Sequence, residues 1–304
     1  MKISYETLYL RSLEVEKKLI KKGIASTPIL GRFKEYQKEI HQLDLAWKNR
    51  KENKEDDIVS FGGIQVLALK ELREIVDVLI PVVATFDNLP KNSKAIVKQK
   101  INTILTGATY VINERGNTSA RNFQFEFRLA AKLIEAGYSI SFYENPDIVV
   151  EIKGKRYAIE CKRITGKSSR VIQANIEEGV EQLIKHKANY YAGILALDVS
   201  ALLDKRMNIL TSTSRSAAGN KVLDDIEVMI FRDFKRYQKL RKYSHTHLVS
   251  LFYNFSGSYV IESKNDVGWA QGTGVLIFSE ENPIKAKTFG VDFANFRKDS
   301  WTIS

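Results

Sequence analysis

Two carboxylates and an ammonium group stand at a spacing that chemistry can use: Asp147, then Glu160 and Lys162 thirteen and fifteen residues further on. Hard divalent cations give such a set a physical reason. Mg²⁺ takes oxygen ligands from one or two carboxylates, from water and from substrate phosphate. A cation held this way can polarise a phosphodiester and lower the pKa of a bound water. A lysine beside it can orient that water or stabilise charge in the transition state. The backbone carbonyl of Cys161, between two of these residues, is a further candidate ligand for Mg²⁺ or Mn²⁺.

The chemistry requires an element that brings the three together, and the segment from Asn145 to Arg163 reads as a β-hairpin. Two alternating runs flank Gly154-Lys155, and glycine at the first of two loop positions predicts a type II′ turn. Lys153 then faces Arg156, Val149 faces Glu160, and Asp147 faces Lys162. Opposed residues share a face, as do residues two apart on one strand. Asp147, Glu160 and Lys162 therefore share one face at the open end. The other face carries Ile148, Val150, Ile152, Tyr157, Ile159 and Cys161. A slip of one residue would turn that apolar set outward, so the choice of face is enforced by burial. Glu151-Ile152-Lys153 also has the Glu-x-Lys form, but it sits at the turn end, and its glutamate, four residues from Asp147, is too far along a strand for one shared ion. It reads as an exposed edge.

Helices should flank this hairpin. Before it, over about 119–136, Phe123, Phe127, Ala130, Leu133 and Ile134 form one stripe with Glu126 inside it. A carboxylate there must be paired, bound to metal or turned out at the stripe's edge. After the hairpin, over 169–187, Ile172, Ile176, Val180, Leu183 and Ile184 mark an inner face that includes Gln173, whereas Gln182 points away from it. Strands at 138–143, 147–153, 156–162 and 193–198 complete an α-β-β-β-α-β order, a mixed sheet flanked by helices.

Pro146-Asp147 followed by Glu160-Cys161-Lys162 on the partner strand resembles the metal-binding core of the PD-(D/E)xK superfamily of restriction-endonuclease-like nucleases. The resemblance covers about residues 119–198, roughly a quarter of the chain. It implies a restriction-endonuclease-like fold, divalent-metal hydrolysis of phosphodiesters, and Asp147 and Glu160 as ligands. It also implies Glu126 as an auxiliary acid at the metal and Gln173 as a residue near the site. By analogy with the family, restriction or anti-phage defence is the setting and DNA the substrate. An RNA nuclease, or a catalytically inert nucleic-acid-binding subunit, is the alternative.

The remaining features are less specific. A basic helix over about 221–242 carries Arg232, Lys235, Arg236 and Lys239 on one side, either a phosphate-tracking stripe or a solvated face. Arg163 could touch a phosphate or serve the surface. His245 and His247 alternate on an expected strand with no third ligand nearby, which favours structural roles over zinc. Strands are expected near 246–254, 258–263 and 274–279, with a hairpin turn at Ser256-Gly257-Ser258. No phosphate-binding glycine loop is present.

Residues 1–115 read as a helical accessory region and 116–304 as the nuclease domain. Leu8, Leu13, Val15, Leu19 and Ile20 recur at helical intervals up to Gly23; further helices are expected at about 33–47, at 64–80 with a stop at Pro81, and at 93–105. Such helices could mediate homo-oligomerisation. Forty-seven Lys and Arg against 36 Asp and Glu give a net charge of +11 and a pI near 9.4, which suits a polyanionic partner. A single cysteine excludes an intramolecular disulfide framework. Without a signal-like start or a run of roughly 18 apolar residues, a soluble cytoplasmic protein is expected.

Overall fold

The structure is a computed structural model that describes residues 4–53, 63–110, 118–166, 168–203, 210–212, 247–261, 266–277 and 283–298. The chain divides into two compact units, Met1–Ala131 and Lys132–Ser304. It is an α/β protein, and no helix among the described residues is long and apolar enough to cross a membrane.

The first unit is helical. Helix α1 (Tyr5–Lys21) starts where the Ser4 hydroxyl accepts the Thr7 N–H, and it ends at Gly23, whose φ of 62° is open to a residue without Cβ. Leu8, Val15 and Leu19 are buried, whereas Ile20 is exposed. Helix α2 (Gly31–Asn53) buries Phe33, Tyr36, Ile40 and Leu43. Helix α3 (Gly63–Thr85) does not stop at Pro81 as its sequence suggests; the proline lies inside it. An internal proline removes one helical hydrogen bond and costs about 3 kcal/mol. Val82 and Val83, just beyond it, are almost fully buried, and that packing holds the last turn. Helix α4 (Lys91–Thr106) follows.

Helix α5 (Ser119–Glu135) carries the boundary between the two compact units near its end. Its buried surface is wider than the expected stripe: Gln124, Phe125, Glu126, Phe127 and Arg128 are all buried in succession. The polar members are accommodated by partners within the first unit. Gln124 donates to Glu74 at 2.7 Å, Arg121 bonds Glu71 at 3.1 Å, and Glu71 also takes Arg32 at 2.7 Å.

The second unit is built on a seven-stranded mixed sheet. Strands β1 (Ser139–Phe142), β2 (Ile148–Ile152) and β3 (Lys155–Arg163) form an antiparallel meander. Helix α6 (Ser169–Lys185) crosses over to β4 (Ala192–Asp198), which lies parallel to β3. A short α7 (Ser200–Leu203) and β5 (Leu210–Ser212) precede the long β6 (Leu248–Ile261) and β7 (Asp266–Ile277). The strand order is β1-β2-β3-β4-β6-β5, with β7 also on β6. Ser256-Gly257-Ser258 makes no turn: it continues β6 and pairs with Trp269 to Gln271 of β7. The flexible composition that suggested a turn is overridden by an uninterrupted ladder on this strand. The 221–242 helix, with Arg232, Lys235, Arg236 and Lys239, and also His245, lie outside the described residues.

Both faces of the sheet are covered. Ile172, Ile176, Val180 and Leu183 of α6 pack with Ala158, Leu195, Leu197, Leu251 and Tyr253. Helices α8 (Pro283–Asp292) and α9 (Ala294–Lys298) cover the other side, where Phe289, Phe293 and Phe296 meet Tyr157 and Phe252. Alternation along β3 and β6 sends Ala158 and Tyr157, and Leu251 and Phe252, to opposite layers.

Candidate metal centre

The hairpin exists, but its register is two residues away from the expected one. Ile152 pairs with Lys155, Val149 with Ala158, and Ile148 with Ile159. The turn residues are Lys153 and Gly154, with φ of 50° and 75°, the two positive values of a type I′ turn instead of a II′ turn on Gly154-Lys155. Glycine takes the second turn position, where a left-handed conformation costs it least. A two-residue shift preserves every side chain's face, so the apolar alternation alone cannot separate the two registers.

The correction changes the neighbours of the acidic pair. Asp147 does not face Lys162, nor Val149 Glu160. The ladder ends at Ile148–Ile159, one step short of Asp147 and Glu160, which its next rung would oppose. Asp147 closes the end itself: its Oδ2 accepts the backbone N–H of Cys161 at 2.9 Å. Asp147 is 8% exposed and Glu160 4%, so both carboxylates sit at the margin of the core, not on a solvated strand.

Lys162 completes the cluster. Its Nζ lies 3.4 Å from Glu160 Oε1 and 2.9 Å from Oε1 of Glu178 on α6. Burial pulls the ammonium pKa down, but the hydrogen bond to Glu178 and the charges of Glu160 and Glu178 outweigh it and raise the group above the usual lysine value. Lys162 is therefore a cation near neutral pH, held between Glu160 and Glu178. Gly179 makes its position possible. A Cβ there would meet Leu195 Cδ1 at 2.5 Å and Lys162 Cγ at 3.2 Å. A mid-helix glycine costs about 1 kcal/mol against alanine, and here it admits the lysine stem beneath α6. Glu178 and Gly179 were missed in the sequence; a glycine inside an otherwise amphipathic helix was the available signal.

The other expected residues are distributed differently. Glu126 belongs to the first unit, where it is buried and ion-paired with Lys100. Gln173 is half-buried on α6 and donates to Glu177 at 2.8 Å, making no hydrogen bond to Asp147, Glu160 or Lys162. Arg163 ends β3, half-buried and in register with Asp198 of β4. The second Glu-x-Lys lies at the turn: Glu151 is exposed, and Lys153 Nζ is 3.7 Å from Asp292. His247 is buried and precedes β6, with its carbonyl accepting the Gly193 N–H at 3.0 Å.

Among the described residues no group of three His, Cys, Asp or Glu side chains is gathered as a cage for a metal ion. Two carboxylates beyond the end of the β2–β3 ladder are nevertheless the donor set that Mg²⁺ accepts, since it retains waters and recruits substrate phosphate. Asp147 and Glu160, with the Cys161 carbonyl, fit such an ion; they do not fit structural zinc, which takes four protein ligands. No family model, curated protein or solved structure matches the sequence.

Proposed function

We propose that this chain is a Mg²⁺- or Mn²⁺-dependent nuclease of the PD-(D/E)xK type that hydrolyses phosphodiester bonds in DNA. One observation carries the reading: Asp147, anchored to the Cys161 N–H, and Glu160, adjacent to Cys161 in the chain, stand just beyond the end of the β2–β3 ladder with the Lys162 ammonium 3.4 Å from Glu160. Two buried acids at neighbouring positions of the hairpin have little value for stability, because burying charge is costly and pairing seldom repays it fully. They have value where a cation and a phosphate must be held together. The antiparallel β1–β2–β3 meander and the parallel β3–β4 crossover also have the order that the family resemblance leads one to expect.

Asp147 and Glu160 would hold the ion, and the Cys161 carbonyl is placed in the chain to assist. The bound cation would supply Lewis-acid polarisation of the scissile phosphate and a more acidic water. Lys162, charged and held from two sides, donates to the phosphate oxygen on which negative charge grows. Glu178 and Glu160 orient that ammonium before substrate arrives.

Supercoiled plasmid, linear duplex, single-stranded DNA and RNA, each incubated with Mg²⁺, Mn²⁺ or EDTA, test the proposal. Cleavage of DNA that EDTA stops and that Glu160→Gln lacks is the expected result. Activity undiminished by EDTA, or no cleavage of any substrate with either ion, refutes it. Cleavage of RNA alone would reassign the substrate.

A further inference from the structure

The face of the hairpin that bears the carboxylates does not end with them. Alternation places Arg156 on the same face as Ala158, Glu160 and Lys162. Four residues separate Arg156 from Glu160 along β3, roughly 13 Å at strand rise. Arg156 is exposed, yet its guanidinium is ordered by aromatic neighbours: it lies over the Tyr190 ring at 5.2 Å from the centroid and reaches within 3.5 Å of the Tyr143 hydroxyl. Both tyrosines are half-buried. Tyr143 also joins the other end of this surface, because its N–H donates to the carbonyl of Asp147 at 3.2 Å. Glu151 stands directly across the strand from Arg156, but among the described residues the two form no ion pair.

A guanidinium resting on an aromatic ring keeps its edge N–H groups for a phosphate and its outer face for a base. Aromatic rings alternating with cations along a groove are how single strands are held without sequence preference. We infer that Arg156, with Tyr190 and Tyr143, forms a subsite for a single-stranded nucleic-acid segment a few nucleotides from the bond at Asp147 and Glu160, an inference that rests on the nuclease reading for its meaning but not for its test. Arg156 bonds a phosphate of the strand, and the base of that nucleotide stacks against the guanidinium and its ring partners. A duplex, whose bases are already stacked, gains only the phosphate contact.

Binding of a fluorescent twelve-nucleotide oligothymidylate and of a twelve-base-pair duplex, measured by anisotropy in EDTA so that no strand is consumed, tests this. Arg156→Gln and Tyr190→Leu should each weaken oligothymidylate binding about fivefold or more. Arg156→Gln should also reduce the slope of log affinity against log salt by about 0.7, the loss of one single-strand phosphate contact. Arg156→Lys should restore the slope but not the full affinity. Because Arg156 is exposed, its variants fold regardless of the outcome for Tyr190→Leu, and thermal melts check all three. Unchanged affinity and slope in Arg156→Gln overturn the subsite, as does equal loss for duplex and single strand, or failure of the wild-type protein to bind the oligonucleotide. If Arg156→Gln weakens binding while the wild type cleaves nothing with any metal, the catalytic reading falls and the subsite stands. If the wild type cleaves and Arg156→Gln binds normally, the subsite falls alone.

Discussion

Replacing Asp147 by Asn, and separately by Ala, removes the same negative charge but leaves the Cys161 N–H in two different situations. In the wild type that N–H is held by Asp147 Oδ2 at 2.9 Å, beyond the last rung of the β2–β3 ladder. Asn offers an oxygen in the same place; Ala offers no acceptor to this part-buried N–H. Leaving a buried donor unsatisfied costs about 1–3 kcal/mol. Relief of repulsion with Glu160 is common to both variants, so it cancels in their difference. Without metal, Asp147→Ala should therefore melt below Asp147→Asn by roughly 2–12 °C, at about 2–4 °C per kcal/mol for a unit of this size. Adding Mn²⁺ at about a hundred times its Kd should stabilise the wild type by about 2.7 kcal/mol. Neither variant should gain comparably, because each lacks one carboxylate charge at the ion. Melting followed by circular dichroism, with Mn²⁺ or EDTA, reads both effects. Equal melting of the two variants in EDTA would show that the Cys161 N–H does not depend on Asp147. An equal Mn²⁺ shift in wild type and Asp147→Asn would remove Asp147 from the ligand set.

Lys162→Gln should retain Mn²⁺ binding by calorimetry yet lose at least about a hundredfold in cleavage rate, the scale of a lost transition-state donor; Glu151→Gln and Lys153→Gln should retain both, and loss of Mn²⁺ binding in Glu151→Gln would move the site to the turn. Burial, with the charges of Lys285 and Lys187, holds the His247 ring down at about 4. The folded ring then binds its proton less well than the unfolded one, so stability is complete above the usual value of 6.5 and declines as pH falls from there toward about 4. His247→Leu should flatten that decline in urea titrations across the window; identical pH dependence in both proteins would show that the folded ring takes up its proton as readily as the unfolded one, so that burial does not hold it down.

The strands of the hairpin and the face shared by Asp147, Glu160 and Lys162 were legible, and their exact pairing was not. Alternating hydrophobicity identified the strands and the face that carries Asp147, Glu160 and Lys162, because burial penalises any odd-numbered slip. It could not separate two registers related by an even slip; positive φ at Lys153 and Gly154 decides that, and Lys-Gly is a weaker turn signal than Asn-Gly. Glu126 was recognised as an acid on an apolar stripe, but its partner Lys100 comes from another helix and has no local signature. Pro81 and Ser256-Gly257-Ser258 misled for one reason: local propensity was outweighed, by valine packing in α3 and by a continuous ladder in β6.

The tight turn at Lys153-Gly154 also governs which lengths this hairpin can acquire over time. Residues inserted there in pairs, one on each arm, lengthen the two strands and move the loop outward while Asp147 and Glu160 keep their neighbours and Ile148, Val150, Tyr157 and Ile159 keep their layer. A single inserted residue must either be extruded as a bulge or evert one arm, driving its apolar side chains to the opposite layer. The loop is thus a ratchet that advances by two, and length variation among descendants of this sequence should be even-numbered at this point and unconstrained in parity where no strand pairing crosses it.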